Sequence, residues 1–186
     1  MSGAKKRNRF VVKTPENGDL NQYWYSPATI GAMVEEAVAE GTRVACLSTP
    51  SIFFSLPKEV RAVSAVLDLD DQWANCEQYT KYDFNAPEEL PESLHGAYDY
   101  LIVDPPFITR EVLERYAEAV KLLSAEGAKV MWTSVAENQA VLDEIVPGGM
   151  SAVAFKPSIP HLVYQYSLFT NYASTGLDRL NPEIPE

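Results

Sequence analysis

Two periods organise the apolar positions of this chain. Some stretches carry an apolar residue every three or four positions, and short, nearly unbroken apolar runs lie between them. The first helical stretch starts at Ser26. Ile30, Met33, Val34, Ala37 and Val38 fall on one face, while Ser26 suits the N-cap, Pro27 the first helical position and Gly41 the stop. Residues 43–48 follow as a buried strand, then a Thr49-Pro50-Ser51 turn and a brief apolar helical turn closed by Pro57. Residues 65–68 predict a second strand running into the acid-rich Asp68-Leu69-Asp70-Asp71, and 78–82 a weaker third. Residues 98–103 form the clearest strand, which stops abruptly at Asp104-Pro105-Pro106-Phe107. Thr109 can cap a long helix with Val112, Leu113, Tyr116, Val120 and Leu123 inside, and 129–133 is the next strand. Ser134 and Glu137 have capping-box spacing for a further helix. The β-rich runs 151–155 and 164–172, around Pro157 and Pro160, read as an antiparallel pair.

Strands alternating with helices, with no internal repeat, predict one α/β domain whose central sheet is mostly parallel and covered by helices on both faces. Such sheets bind ligands beyond the carboxyl ends of their strands, where strand order reverses. The candidate residues are therefore those that follow strands.

Composition agrees with a globular chain. Of 186 residues 46% are hydrophobic, enough for a core and too many for a disordered chain. No uncharged apolar run is long enough to span a bilayer, and the basic residues near the start lack the apolar stretch of a secretory signal. Cys46 and Cys76 are too few for a disulfide framework, and no Cys/His cluster has metal-ligand spacing. The expectation is a cytoplasmic protein with reduced thiols and no metal; the oligomeric state is not legible.

Charge changes the picture more. The net charge is −11, but Lys5, Lys6, Arg7, Arg9 and Lys13 all precede the first acidic residue, Glu16, so everything after them carries −16. This predicts a flexible basic arm over 1–20, a single domain over 21–174 and a tail over 175–186. An acidic body repels a polyphosphate backbone, which makes nucleic acid an unlikely partner.

The sharpest chemical signal is Asp104-Pro105-Pro106-Phe107. Two prolines remove two backbone donors and forbid helix, so the chain leaves its strand with fixed geometry. The Asp104 carboxylate and the Pro105 carbonyl are then free to converge as acceptors for a nucleophilic amino group, whose lone pair would point at the carbon under attack. Phe107 offers a face for a planar base or a cationic stem. The plainer alternative is a strand-ending turn whose aspartate caps the next helix.

Asp-Pro-Pro-Phe at this place resembles the catalytic tetrapeptide of S-adenosylmethionine-dependent amino-methyltransferases, a pattern shared by N6-adenine enzymes and some protein methyltransferases. More specifically, Gln22-Tyr23-Trp24-Tyr25-Ser26, the run from Ala45 through Ser48-Thr49-Pro50-Ser51 to Leu56, and Tyr82-Asp83-Phe84-Asn85 resemble the elongation factor 1-alpha lysine methyltransferase family, formerly classed with adenine-specific DNA methyltransferases. The resemblance runs in order from about Asn21 to Tyr172. It implies a Rossmann-like class I methyltransferase fold with a C-terminal antiparallel strand pair, S-adenosylmethionine as methyl donor, and methylation of a lysine on that translation factor.

Against that implication the remaining candidates take roles. The turn after the first strand has no glycine, unlike nucleotide-binding folds at large, although the resembled family shares this departure. Ser48, Thr49 and Ser51 are candidates for the methionine carboxylate, helped by the next helix N-terminus. Asp68, twenty positions beyond Ser48, has the separation of a ribose-binding acid, with Asp70 as a second acidic position. Asp83 and Phe84 follow the weaker strand, where such folds hold the adenine; an Asp-initiated turn is the plainer alternative. By resemblance, the segment of Tyr25 and Ser26 folds over the donor. The stretch 156–161 is a candidate border of the substrate channel, and His95 and His161 are expected to be structural or surface residues.

The tetrapeptide does not separate a lysine from an adenine acceptor. The acidic body favours a basic protein surface, which makes protein-lysine methylation the expectation. Adenine methylation of RNA or DNA is the alternative, and a non-catalytic scaffold the third.

Overall fold

The alternation of helix and strand is present, in the order α1 (Arg9–Lys13), α2 (Pro27–Glu40), β1 (Val44–Leu47), α3 (Pro50–Phe53), α4 (Lys58–Arg61), β2 (Ala65–Asp68), β3 (Tyr79–Lys81), β4 (Tyr98–Val103), α5 (Arg110–Leu123), β5 (Ser124–Ser134), α6 (Gln139–Ile145), β6 (Ser151–Ala152) and β7 (Ser167–Thr170). The structure is a computed structural model that describes residues 7–184. The strands form one seven-stranded sheet in the order β3-β2-β1-β4-β5-β7-β6. The first five are parallel, and β7 runs antiparallel to both its neighbours.

Side chains alternate across each strand, so β1 sends Ala45 and Leu47 to one face and Val44 and Cys46 to the other. On the first face α5 and α6 cover Leu67, Leu101, Val103 and Trp132 with Leu113, Val120, Leu123 and Leu142. On the second, α2 and α3 cover Val66, Ile102 and Met131 with Ile30, Met33, Ala37, Ile52 and Phe53. Each fully buried aliphatic or aromatic side chain contributes about 1.5–3 kcal/mol, so the two layers together fix the sheet between them.

The caps explain where the helices begin and end. Ser26 Oγ accepts the Thr29 N–H at 3.1 Å, as its N-cap position requires. Gly41 stops α2 for a reason other than a left-handed turn. Its backbone is extended, and a Cβ there would stand 2.4 Å from the Cβ of Tyr100, so the sheet leaves no room for a side chain. The capping box expected from Ser134 and Glu137 does not form. Ser134 is tied into β5 by its pairing with Ser167, its Oγ accepts from Asn138 Nδ2 at 3.0 Å, and α6 starts only at Gln139.

The ends differ most from expectation. Lys5 and Lys6, with the rest of residues 1–6, lie outside the described residues, as do 185 and 186 of the tail. From Asn8 onward the segment expected to be a flexible arm is folded on the body. Phe10 is buried against Trp24, Phe54 and Trp73, with ring centroids 5.1, 5.8 and 5.6 Å away, and Asn8 Nδ2 donates to Ser55 Oγ at 2.9 Å. The tail packs as well: Leu177 and Asn181 are buried, Asn181 donates to the Lys156 carbonyl at 2.8 Å, and Glu183 meets Ser26. A few apolar and capping residues outweigh the charge pattern in both places. Among the described residues no helix is long and apolar enough to cross a membrane.

Candidate active site

Strand order reverses between β1 and β4, where β1 and β2 continue to one side and β4 and β5 to the other. Leu47 pairs with Val103, and the Asp104 N–H donates to the Leu47 carbonyl at 3.2 Å, so the ends of these two strands sit side by side. A cleft of about 170 Å³ opens beyond them, bordered by the strand ends at Ser48, Asp68 and Asp104. Residues 19–24 and the loop with Ile159, Leu162 and Tyr166 form its other walls. The Glu16 carboxylate joins these two walls, accepting from Trp24 N at 2.8 Å and lying 2.6 Å from His161 Nδ1.

Asp104 is half-buried at the cleft floor, and its carboxylate is not as free as the tetrapeptide alone implies. Tyr25 donates to Oδ2 at 2.6 Å and Thr133, at the end of β5, to Oδ1 at 2.7 Å. Burial pushes Asp104 up to about 6, and these two hydrogen bonds act against it by favouring the ionised form. Burial, then the charge of Asp104, holds Tyr25 well above the usual phenol range, so Tyr25 remains a donor. Tyr166 is pushed up to about 12 by the same two causes. Pro105 and Pro106 line the cleft, the Pro106 carbonyl accepts from Asn21, and Phe107 is 52% exposed at the rim.

The turn after β1 replaces glycine by strain. Ser48 adopts φ +56°, a left-handed conformation uncommon outside glycine, and its Oγ lies 2.6 Å from the Tyr116 hydroxyl. Tyr116 in turn stacks on Phe84 (5.9 Å, 29°) and meets Tyr82 edge-on, while Phe84 meets Phe107 (6.4 Å, 71°). One side of the cleft is thus an aromatic wall. Asp68, buried at the end of β2, is the second carboxylate; burial pushes it up to about 6, and it accepts from the Asp70 N–H at 2.9 Å.

Several expected residues stand elsewhere. Thr49 and Ser51 are buried and do not line the cleft, because α3 is a four-residue turn that carries them into the core. Ser26 caps α2 outside the cleft. Tyr25 stands behind Asp104 rather than in the cleft. Asp70 holds the cleft residue Gln22 at 2.8 Å from one step away, and Asp83 is exposed, its Oδ1 occupied by the Asn85 N–H and side chain at 2.9 Å. Ser48, Asp68, Phe84, Asp104, Pro105, Pro106 and Phe107 are brought together as expected. Thr133, Tyr116 and Tyr166 join the site without being among the candidates that the sequence offers for it. Thr133 could have been found by applying the strand-end rule to β5, whereas Tyr166 carries no sequence signal.

The cleft has the character of a binding site for a cation. Among the described residues its lining holds the carboxylates Asp19, Asp68 and Asp104 and no lysine, arginine or histidine. Two of its polar atoms, Gln22 Oε1 and the Tyr82 hydroxyl, are buried without a partner among the described residues, a costly state that a ligand would relieve.

Sheet order, reversed C-terminal strand and a cleft at the reversal point together define a Rossmann-like methyltransferase fold. A branched-chain polyamine synthase from Thermus thermophilus shares it, with a TM-score of 0.60 at 18% identity over 87% of this chain and 60% of that one. The family model for probable N6-adenine methyltransferases matches residues 16–174, and the chain belongs to that family. Among its relatives is EEF1A lysine methyltransferase 1 of Homo sapiens, 33% identical over 171 residues, 88% of this chain and 78% of that protein. The protein of the same name in Bos taurus is 31% identical over 194 residues, covering all of this chain and 83% of the relative.

Proposed function

We propose that the chain is an S-adenosylmethionine-dependent protein-lysine N-methyltransferase that modifies a lysine of translation elongation factor 1-alpha, and so works in the cytoplasm. The observation that carries the reading is the cleft itself: among the described residues it has a half-buried carboxylate on the floor, two further carboxylates in the walls and no cation in its lining. Such a lining suits a sulfonium and an amine and disfavours phosphates. The names of the relatives support the same substrate.

S-adenosylmethionine supplies a methyl group on a positively charged sulfur. The residues that suit it are Asp68 for hydroxyls, Phe84 and Tyr82 beside the base, Ser48 at the close turn, and Gln22, which Asp70 holds in place. Protein chemistry in a direct displacement is mostly positioning and exclusion of water, worth about 7–11 kcal/mol when geometry is favourable. Asp104 and the Pro105 carbonyl orient the acceptor amine. A lysine with a reference pKa of about 10.4 must first lose a proton to solvent; the cleft carboxylates oppose that loss, and desolvation together with a positive sulfonium beside the amine favours it. Phe107 at the rim packs on the aliphatic stem of the lysine.

The test is transfer of labelled methyl from S-adenosylmethionine into purified elongation factor 1-alpha, beside RNA and DNA, with the modified residue mapped by mass spectrometry. Label on a lysine of the protein supports the reading. Label only in adenine, the activity named by the family model, overturns it.

A further inference from the structure

A carboxylate has room for about four hydrogen bonds. At Asp104 two are already committed, Tyr25 at 2.6 Å on Oδ2 and Thr133 at 2.7 Å on Oδ1, and the two hydroxyl oxygens stand 3.0 Å apart. Tyr25 and Thr133 are both buried and neither lines the cleft, so these hydroxyls serve the carboxylate and not a ligand. We infer that Tyr25 and Thr133 are positioning residues that fix the plane of the Asp104 carboxylate, one oxygen each, and turn its remaining lone pairs toward the acceptor amine. The inference rests on the methyl-transfer reading of the cleft.

The proton count supports it. With Asp104 ionised, each hydroxyl proton has its own acceptor oxygen. Protonating Asp104 turns one of those oxygens into a donor facing a donor, and one hydroxyl must re-aim. For Thr133 the alternative is the Val103 carbonyl at a poorer 3.3 Å. The titratable groups that face Asp104 are Tyr25 from the segment before α2, Tyr116 from α5 and Tyr166 from the segment before β7. The cleft adds the carboxylates Asp19 and Asp68, and among the described residues its lining contains no cation. Burial raises Asp104, and the two hydroxyls are what oppose that rise.

The experiment is a carbon-13 NMR titration of the Asp104 carboxyl in the full chain without substrate, its signal assigned by loss in Asp104→Asn. The wild type should titrate near about 6. Tyr25→Phe and Thr133→Val, each deleting one donor at little change in volume, should move the midpoint up by about one pH unit. Thr133→Ser, which keeps the hydroxyl, should stay at the wild-type value. An unmoved midpoint in both Tyr25→Phe and Thr133→Val overturns the inference. In the pH dependence of kcat for methyl transfer, the same two variants should shift the acid limb upward by about the same amount and regain activity toward pH 9. A loss equal at every pH marks a merely structural role and also overturns it. Absence of transfer by the wild type counts against the proposed function, and the titration still decides this inference because it needs neither donor nor acceptor.

Discussion

Replacing Asp104 by asparagine should abolish methyl transfer and yet make the protein more stable at neutral pH. An aspartate ionises near 3.8 in the unfolded chain, whereas burial lifts Asp104 to about 6 in the fold. The folded state therefore keeps the proton to higher pH than the unfolded one, so stability falls as pH rises from about 4 to about 6 and the penalty is constant above. Roughly two pKa units at about 1.4 kcal/mol each set an upper bound near 3 kcal/mol. Because the carboxylate is partly open to the cleft, screening leaves about 2 kcal/mol. Asparagine does not titrate and keeps an oxygen as acceptor for Tyr25, while its NH2 faces Thr133, whose hydroxyl turns to the Val103 carbonyl, so the variant escapes most of the penalty. In a domain of this size that is a rise of about 4–8 °C in the unfolding midpoint. The assay is thermal unfolding of both proteins at pH 4.5 and pH 8, beside the transfer assay. The gap should be small at the lower pH and open at the higher one. An asparagine variant less stable than wild type at pH 8, or a gap equal at both values, refutes the idea that the carboxylate is held ionised against its own desolvation.

Other outcomes follow from single contacts. Gly41→Ala should cost about 1–3 kcal/mol in urea denaturation, since the new Cβ collides with a rigid part of Tyr100 while the extended backbone itself tolerates alanine. Phe10→Ala should cost about 3 kcal/mol by removing the ring that Trp24, Phe54 and Trp73 enclose; a change under about 0.5 kcal/mol would show that α1 is not docked. Asp68→Ala should weaken S-adenosylmethionine binding at least about tenfold by calorimetry with the fold intact; unchanged affinity would remove Asp68 from the donor site. Tyr116→Phe should destabilise the turn at Ser48 by about 1 kcal/mol, measured by the same urea titration.

What could be read from the chain alone was whatever depends on neighbours in sequence. β2 and β4 fall at 65–68 and 98–103 because each is built on an apolar run, Ala65-Val66-Leu67 in one and Tyr100-Leu101-Ile102-Val103 in the other, and Asp104 stands at a strand end because two prolines stop the strand. The partners of Asp104 were hidden for the opposite reason. Tyr25 reaches it through a tertiary meeting, so one residue of the aromatic patch supplies a buttress behind the carboxylate while Gln22, Tyr23 and Trp24 wall the cleft. Thr49 and Ser51 looked like ligand contacts because hydroxyls follow a strand, but Ile52 and Phe53 draw that short turn into the core and the hydroxyls go with it. Charge alone predicts a loose basic arm, while one buried ring at Phe10 decides its position.

The long reach of those contacts has a consequence for how the protein comes into being. Tyr25 lies 79 residues from Asp104 and 108 from Thr133, Ser158 binds Thr29 across 129 residues, and Glu183 meets Ser26 across 157. The segment synthesised early is thus fastened by segments synthesised late. Contacts this remote in sequence form slowly and only after the intervening chain has left the ribosome. A chain that still lacks β5 has no Thr133 and so no fully buttressed carboxylate. Competence for chemistry is the last property this fold acquires and, on local unfolding of the N-terminal segment, the first it loses.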